Sequence, residues 1–317
     1  MPGEFDIIQN YFAPLAGPAG LSLQDDVSVC SVPPDCDLVV TKDVLNEGIH
    51  FRPEDPPDLV AYKTLAVSVS DCISKGARPE HYWLGLSLPA EPENKWIKEF
   101  TRGLMLAQNK FGCVLAGGDT TRTLGPSSVS VTVAGFAPSG KIVRRAGAQV
   151  GDAVYVTGEL GNAALALHAL VNNLACPSGL LRTYQAPEPP SVFGPKLIGV
   201  ANASADVSDG LVADAGHIAA ASGVLMQINQ QQLPVGKYAL GMIKDNPQLE
   251  CKIWSGGDDY QILFTAPRSL DTAIQNFARE SKTLVTNIGE VTQGKGVHLL
   301  DRNQEIVQVT SGGYEHF

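Results

Sequence analysis

No stretch of the sequence approaches the run of about 18 apolar residues that a membrane-spanning helix requires, so no membrane partner is expected. Basic residues are in deficit. With 23 Lys and Arg against 33 Asp and Glu, the net charge is -10, the reverse of the basic stripe a nucleic-acid surface needs. Such an acidic surface serves solubility as well as it serves the concentration of divalent cations. The six cysteines, Cys30, Cys36, Cys72, Cys113, Cys176 and Cys251, contain no C-x-x-C pair and no zinc spacing. Several lie inside apolar runs, where cysteine acts as a small hydrophobe. There is no H-E-x-x-H motif, no nucleophile elbow and no His-paired Ser or Cys signature. The stretch MPGEFDIIQNYF has no basic region followed by an apolar one, so it does not read as a signal peptide, and a cytoplasmic location is expected.

What is present suits a globular enzyme. The 317 residues are 44% hydrophobic, enough for about two domains with sizeable cores. LVVTKD, Leu38 to Asp43, reads as a buried strand ending in a carboxylate. Asp58 then caps a helix running to about Lys75, with Leu65, Val69 and Ile73 four apart and Gly76 beyond. A second helix is expected from Trp96 to Phe111, and a short strand, Val114 to Ala116, leads into a turn at Gly117-Gly118. SVSVTVAGF, Ser128 to Phe136, alternates as a half-buried antiparallel strand does. Polar Ala137 to Gly151, with two glycine turns, is the candidate domain boundary. Beyond it AVYVTG reads as a strand and Asn162 to Asn172 as a helix. Asp209 to Ser222 and Ser269 to Glu280 read as further helices; Val224 to Ile228, Tyr260 to Thr265, Val297 to Leu300 and Ile306 to Val309 read as strands. Without regular βαβ alternation, this mixture points to α+β domains.

The aspartates carry the chemistry. Asp25 and Asp26 precede VSV, Asp43 ends a strand, and Asp71 sits inside the apolar helix sequence LAVSVSDCI. Asp119 follows Gly117-Gly118, Asp206 and Asp209 bracket a serine in DVSDG, and Asp258 and Asp259 follow a second glycine pair. Singly each has an ordinary explanation: a solvent-facing Asp71, an Asp209 that caps its helix, turns at the two Gly-Gly-Asp stretches. Together, carboxylates at so many element ends suggest a hard-cation site. Two carboxylates about 4 Å apart repel by roughly 4 kcal/mol at an effective dielectric near 20. Mg²⁺ takes oxygen ligands and commonly bridges carboxylates to phosphates, so an acidic residue after VLAGG can face a phosphate through metal. His50, in NEGIHF, lies close after the Asp43 strand.

In order along the chain, GEFDIIQNYF, QDDVSV, TKDVLNEGIHF, DLVAYKTLAVSVSD, KGARP, LAGGDTTR, RRAGAQVGD, VYVTGELGNAALAL, DVSDGLVADAGHI, SGGDDYQILF and GGYEHF resemble the thiamine-monophosphate kinase family. That family belongs to the superfamily of aminoimidazole ribonucleotide synthetase and selenophosphate synthetase. The resemblance implies ATP-dependent phosphorylation of thiamine monophosphate to thiamine diphosphate, by direct transfer with several Mg²⁺ ions. It implies an N-terminal mixed α/β domain, residues 1–145, that binds ATP and Mg²⁺ and dimerises through its sheet. A C-terminal α/β domain, 146–317, would complete an active-site cleft between the two. Carried over by motif, Asp26, Thr41, Asp43, Asp71, Asp119, Asp206 and Asp209 look like metal ligands, with Asp43, Asp71 and Asp119 catalytic through the metal. Gly118, Asp119, Arg145 and Ser208 look like ATP contacts, and His50 and Asp258 like substrate contacts.

Three residues depart from the family pattern: Lys42 beside Asp43, Asp258 in place of the usual Glu, and Ser311 where an aromatic residue commonly stacks, with Tyr314 a possible substitute. These keep two alternatives open, a relative acting on another phosphorylated metabolite and a nucleotide-binding homologue impaired in catalysis.

Overall fold

The computed structural model describes residues 4–89, 93–309 and 313. Ser311 and Tyr314 lie outside the described residues. The chain divides into two compact units: Met1–Cys72 with Ala77–Gly140, and Ile73–Gly76 with Lys141–Phe317.

In the first unit a four-residue helix, α1 (Glu4–Ile7), runs into π and 3-10 turns as far as Leu23. The elements that follow are β1 (Cys36–Asn46), α2 (Pro57–Ser74), β2 (Arg78–Leu88), α3 (Asn94–Phe111), β3 (Val114–Arg122) and β4 (Ser128–Pro138). The last two residues of α2 group with the second unit. The four strands form one sheet in the order β1-β4-β2-β3, antiparallel except for the parallel β2/β3 pair. The inward residues of SVSVTVAGF, Val129, Val131 and Val133, are fully covered, as strict alternation predicts. Apolar α2 lies over them, its Ser68 hydroxyl donating to Val131 O at 3.4 Å. β1 is the outer strand of the sheet on its side, and Leu38, Val40 and Val44 stay about half exposed.

The expected turn at Gly117-Gly118 is not there. β3 runs straight through VLAGGDTTR. Neither glycine has a positive φ; what the site demands is room. A Cβ on Gly118 would stand 2.1 Å from Leu84 O, and one on Gly117 2.9 Å from the Trp83 ring. The pairing also slips here: Tyr82 faces Leu115 but Trp83 faces Gly117, so Ala116 bulges.

The second unit contains β5 (Asp152–Thr157), α4 (Asn162–Val171), α5 (Ser178–Gln185), β6 (Ala203–Val207), α6 (Leu211–Ser222), β7 (Leu225–Asn229), α7 (Lys237–Asp245), α8 (Lys252–Ser255), β8 (Gln261–Pro267), α9 (Asp271–Ser281), β9 (Val285–Thr292) and β10 (Gly296–Leu300). Its six strands order as β10-β7-β9-β5-β8-β6, with only β10/β7 parallel. One face buries Val154, Val156, Leu263 and Ile288 together with Leu165 of α4 and Ile218 of α6. On β5 and β8, Tyr155 stacks on Phe264 at 5.1 Å between ring centroids. Ile306 makes a single bridge to Leu300 in place of the strand expected over Ile306 to Val309. Both units are α+β, as the sequence suggests.

Candidate active site

Thr41 and Asp43 are two apart on β1, so they share its inner face, where α2 brings Asp71 down onto them. Thr41 Oγ1 donates to Asp71 Oδ2 at 2.6 Å. Asp71 is therefore an inward, half-buried group rather than a solvent-facing one. Asp43 is raised to about 6, chiefly by burial and then by the charge of Asp71, against a Ser68 hydrogen bond and the charge of Lys42. Its Oδ2 is buried and has no hydrogen-bond partner among the described residues. An orphaned carboxylate oxygen beside a second carboxylate and a hydroxyl is a donor set of hard oxygens, and it fits Mg²⁺. Lys42 points the other way: it is exposed and its Nζ lies 3.3 Å from Ser130 Oγ of β4.

A second group lies across β3. Gly118 and Asp119 line a pocket of about 720 Å³ together with Asp25, Asp26, Phe12 and Trp83. The N-terminal turns form its other wall, held by Gly17 N donating to Leu115 O at 2.8 Å. The Trp83 ring is fixed in the pocket by Nε1 donating to Ser28 Oγ at 2.8 Å. His50 is on the turn that closes β1. Its Nδ1 accepts from Asn46 N at 3.0 Å, which leaves Nε2 as the ring donor. Buried Lys63 of α2 holds the same turn by donating to His50 O at 3.0 Å.

In the second unit Asp206 is buried on β6, and the chain leaves that strand through Ser208 and Asp209 into α6. The second Gly-Gly-Asp packs against this exit. Asp258 N donates to Ser208 O at 2.9 Å, and a Cβ on Gly257 would stand 2.3 Å from the same oxygen. Asp258 has a left-handed backbone, φ 70, and accepts from the Tyr260 hydroxyl at 2.8 Å. Arg145 is exposed before β5, its carbonyl accepting from Ser222 Oγ at 3.2 Å.

Asp209 does not cap α6. The cap is supplied by Asp214, one turn into the helix, whose Oδ2 accepts from the backbone N–H groups of Ser208, Asp209 and Gly210 at 3.1, 3.1 and 3.2 Å. Burial, then the charge of Asp209, push Asp214 up to about 7 against those hydrogen bonds. Ligand atoms of Asp209, Asp214 and His217 lie within 4.8 Å of one another. The last two of these were missed in the sequence; their signal is the i, i+3 spacing in DGLVADAGHI, which puts both on one helix face.

The two units match a known class of two-domain protein. Residues 24–137 fit the model for the AIR synthase related protein, N-terminal domain, and 149–302 the C-terminal domain of the same class. Thiamine-monophosphate kinase of Caulobacter vibrioides is 37% identical over 96% of this chain and 88% of its own length. The solved thiamine-monophosphate kinase of Stenotrophomonas maltophilia superposes with a TM-score of 0.83 at 36% identity, covering 90% of this chain and 91% of the other. AaThiL complexed with AMPPCP and TMP superposes with a TM-score of 0.80 at 30% identity, over 99% and 97%. This chain belongs to the thiamine-monophosphate kinase family.

Proposed function

We propose that this chain transfers the γ-phosphoryl group of ATP to thiamine monophosphate, yielding thiamine diphosphate and ADP. A phosphate oxygen of thiamine monophosphate attacks the γ-phosphorus in line, while the bond from that phosphorus to the β,γ-bridging oxygen breaks. The observation that carries this reading is the Thr41–Asp43–Asp71 cluster with its orphaned carboxylate oxygen, in a chain similar end to end to thiamine-monophosphate kinases.

In this reading Asp43, Asp71 and Thr41, with Asp26, Asp119, Asp206 and Asp209, hold Mg²⁺. The ions supply the charge neutralisation that two anions need to approach, and an anchor for the leaving group. The protein's own groups position the rest. Thr41 orients Asp71. Gly118 and Asp119, Ser208 and Arg145 receive ATP, Arg145 as a permanently protonated donor. His50, held through Nδ1, presents Nε2–H to the acceptor, and Asp258 makes the other substrate contact. The acceptor phosphate is already largely ionised near neutral pH, so no general base is assigned. Positioning and electrostatics carry the rate.

The first domain, 1–145, is assigned the ATP and Mg²⁺ site and dimerisation, and 146–317 the completion of the substrate site. A homodimer through the first sheet is supported by outer strand β1, which leaves Leu38 at 50% and Val40 at 55% exposure. A cytoplasmic location is part of the same reading. A coupled assay of ADP formation with ATP, Mg²⁺ and thiamine monophosphate tests the activity. Turnover that requires thiamine monophosphate and is lost in Asp43→Asn is expected; no ADP above that variant's background would contradict it.

A further inference from the structure

We propose that Tyr260 is a positioning residue for the acceptor: its hydroxyl sets the Asp258 carboxylate against an acidic cavity that takes the cationic ring end of thiamine monophosphate, not its phosphate. The identity of the substrate rests on the kinase reading; the role of Tyr260 comes from the geometry of the second unit.

The turn from Gly256 to Tyr260 is wedged against the end of β6. Asp258 N donates to Ser208 O at 2.9 Å and Tyr260 N to Val207 O at 2.8 Å. Asp258 and Tyr260 both have left-handed backbones, φ 70 and 49. A bulky side chain rarely adopts that conformation, and it persists only where the surroundings dictate it. The side chains of the turn then divide. Asp259 turns inward and accepts from Gly161 N. The Tyr260 ring is buried, at 6% exposure, and its hydroxyl donates to Asp258 Oδ1 at 2.8 Å. A buried tyrosine hydroxyl needs one partner, and any carbonyl would serve. Here the partner is a carboxylate that lines a cavity. An ionised carboxylate offers about four acceptor positions on its two oxygens, so this bond orients Asp258 without exhausting it.

The cavity has a volume of about 230 Å³, and Glu159, Glu188 and Asp258 face a single Arg182 in its lining. That guanidinium lies 3.7 Å from Glu188, so its charge is balanced within the lining. A phosphate brought here would meet carboxylates of its own sign. The ring end of thiamine monophosphate carries a permanently cationic thiazolium and an aminopyrimidine with N–H donors. Both complement a fixed carboxylate.

Tyr260→Phe keeps the packed ring and removes only the hydroxyl. Asp258→Gly suits a left-handed backbone and removes the carboxylate. These two, the double variant and wild type are titrated calorimetrically with thiamine monophosphate and with thiamine, circular dichroism confirming that each is folded. Affinity for both ligands is expected to fall about tenfold in Tyr260→Phe, the scale of one hydrogen bond to a charged group. Adding Tyr260→Phe to Asp258→Gly is expected to weaken binding by less than about threefold more, because the hydroxyl acts through the carboxylate. In steady-state kinetics KM for thiamine monophosphate is expected to rise by the same factor while KM for ATP holds, a split that general loosening of the unit does not produce. Unchanged affinity in Tyr260→Phe, or a full further tenfold loss in the double variant, overturns the positioning role. A loss for thiamine monophosphate with none for thiamine overturns the ring-end assignment. The titrations need no turnover, so a wild type that binds thiamine monophosphate without phosphorylating it counts against the kinase reading alone.

Discussion

Lys42 stands between two residues assigned to magnesium, yet strand alternation sends its side chain to the opposite face of β1, where Nζ meets Ser130 Oγ. The observation that favoured an impaired homologue thereby loses its force: the lysine takes no ligand position. Lys42→Ala is expected to change kcat less than about threefold, because only a weak, screened charge effect on Asp43 is removed. Asp43→Asn is expected to lower kcat at least about a hundredfold, comparable to losing one preorganised electrostatic contact in other active sites. Steady-state kinetics of the two variants separates adjacency in sequence from adjacency in space. Asp43 was legible as a carboxylate ending the LVVTKD strand, while Thr41 beside it came from the family resemblance alone. Their partner Asp71 was not placed by the sequence, because its orientation depends on how α2 lies over the sheet. Asp214 was invisible as a cap, since its bonds run backward to residues outside its helix.

Among the elements, β3 shows what a glycine pair conceals. The sequence suggests a turn at Gly117-Gly118, while the structure uses the missing side chains to bring β3 against β2. Gly118→Ala is expected to destabilise the first unit by about 1–3 kcal/mol, the usual cost of overpacking, because its Cβ meets backbone Leu84 O. Urea denaturation measures this; an unchanged midpoint would refute the packing role. The strand β2, RPEHYWLGLSL, escaped notice for a related reason: Pro79 and Gly85 break its pattern, and its neighbours come from distant segments. In the second unit Asp259 accepts from Gly161 N at 2.8 and 3.0 Å, at the start of α4. Burial raises its carboxyl well above the usual 3.8, and the Asp258 charge adds to this. The folded chain therefore keeps this proton where the unfolded chain has released it. Its contribution to stability is full at acid pH and falls as pH rises from 3.8 toward the raised folded value. The stability of wild type relative to Asp259→Asn is expected to decline over that rise in denaturation experiments; a pH-independent difference would contradict it.

For the whole molecule, two α+β units were legible because SVSVTVAGF, AVYVTG and the long helices alternate or repeat over enough residues to dominate local noise. The proposed dimer rests on the family resemblance, since no pattern in the residues themselves points to a second chain. β1 leaves Leu38, Val40 and Val44 exposed in a row with its outer edge open among the described residues, an arrangement proteins usually cover. If the proposed dimer forms through β1, Val40→Asp is expected to convert it to monomer in light scattering while leaving its circular dichroism unchanged; a dimer mass retained in the variant would contradict an interface through β1. The central claim, direct transfer between two phosphates, is tested most directly by following label from [γ-³²P]ATP with thiamine monophosphate and Mg²⁺. Label is expected in thiamine diphosphate and none on the protein. Label retained on the protein, or released as inorganic phosphate without thiamine diphosphate, would contradict the account.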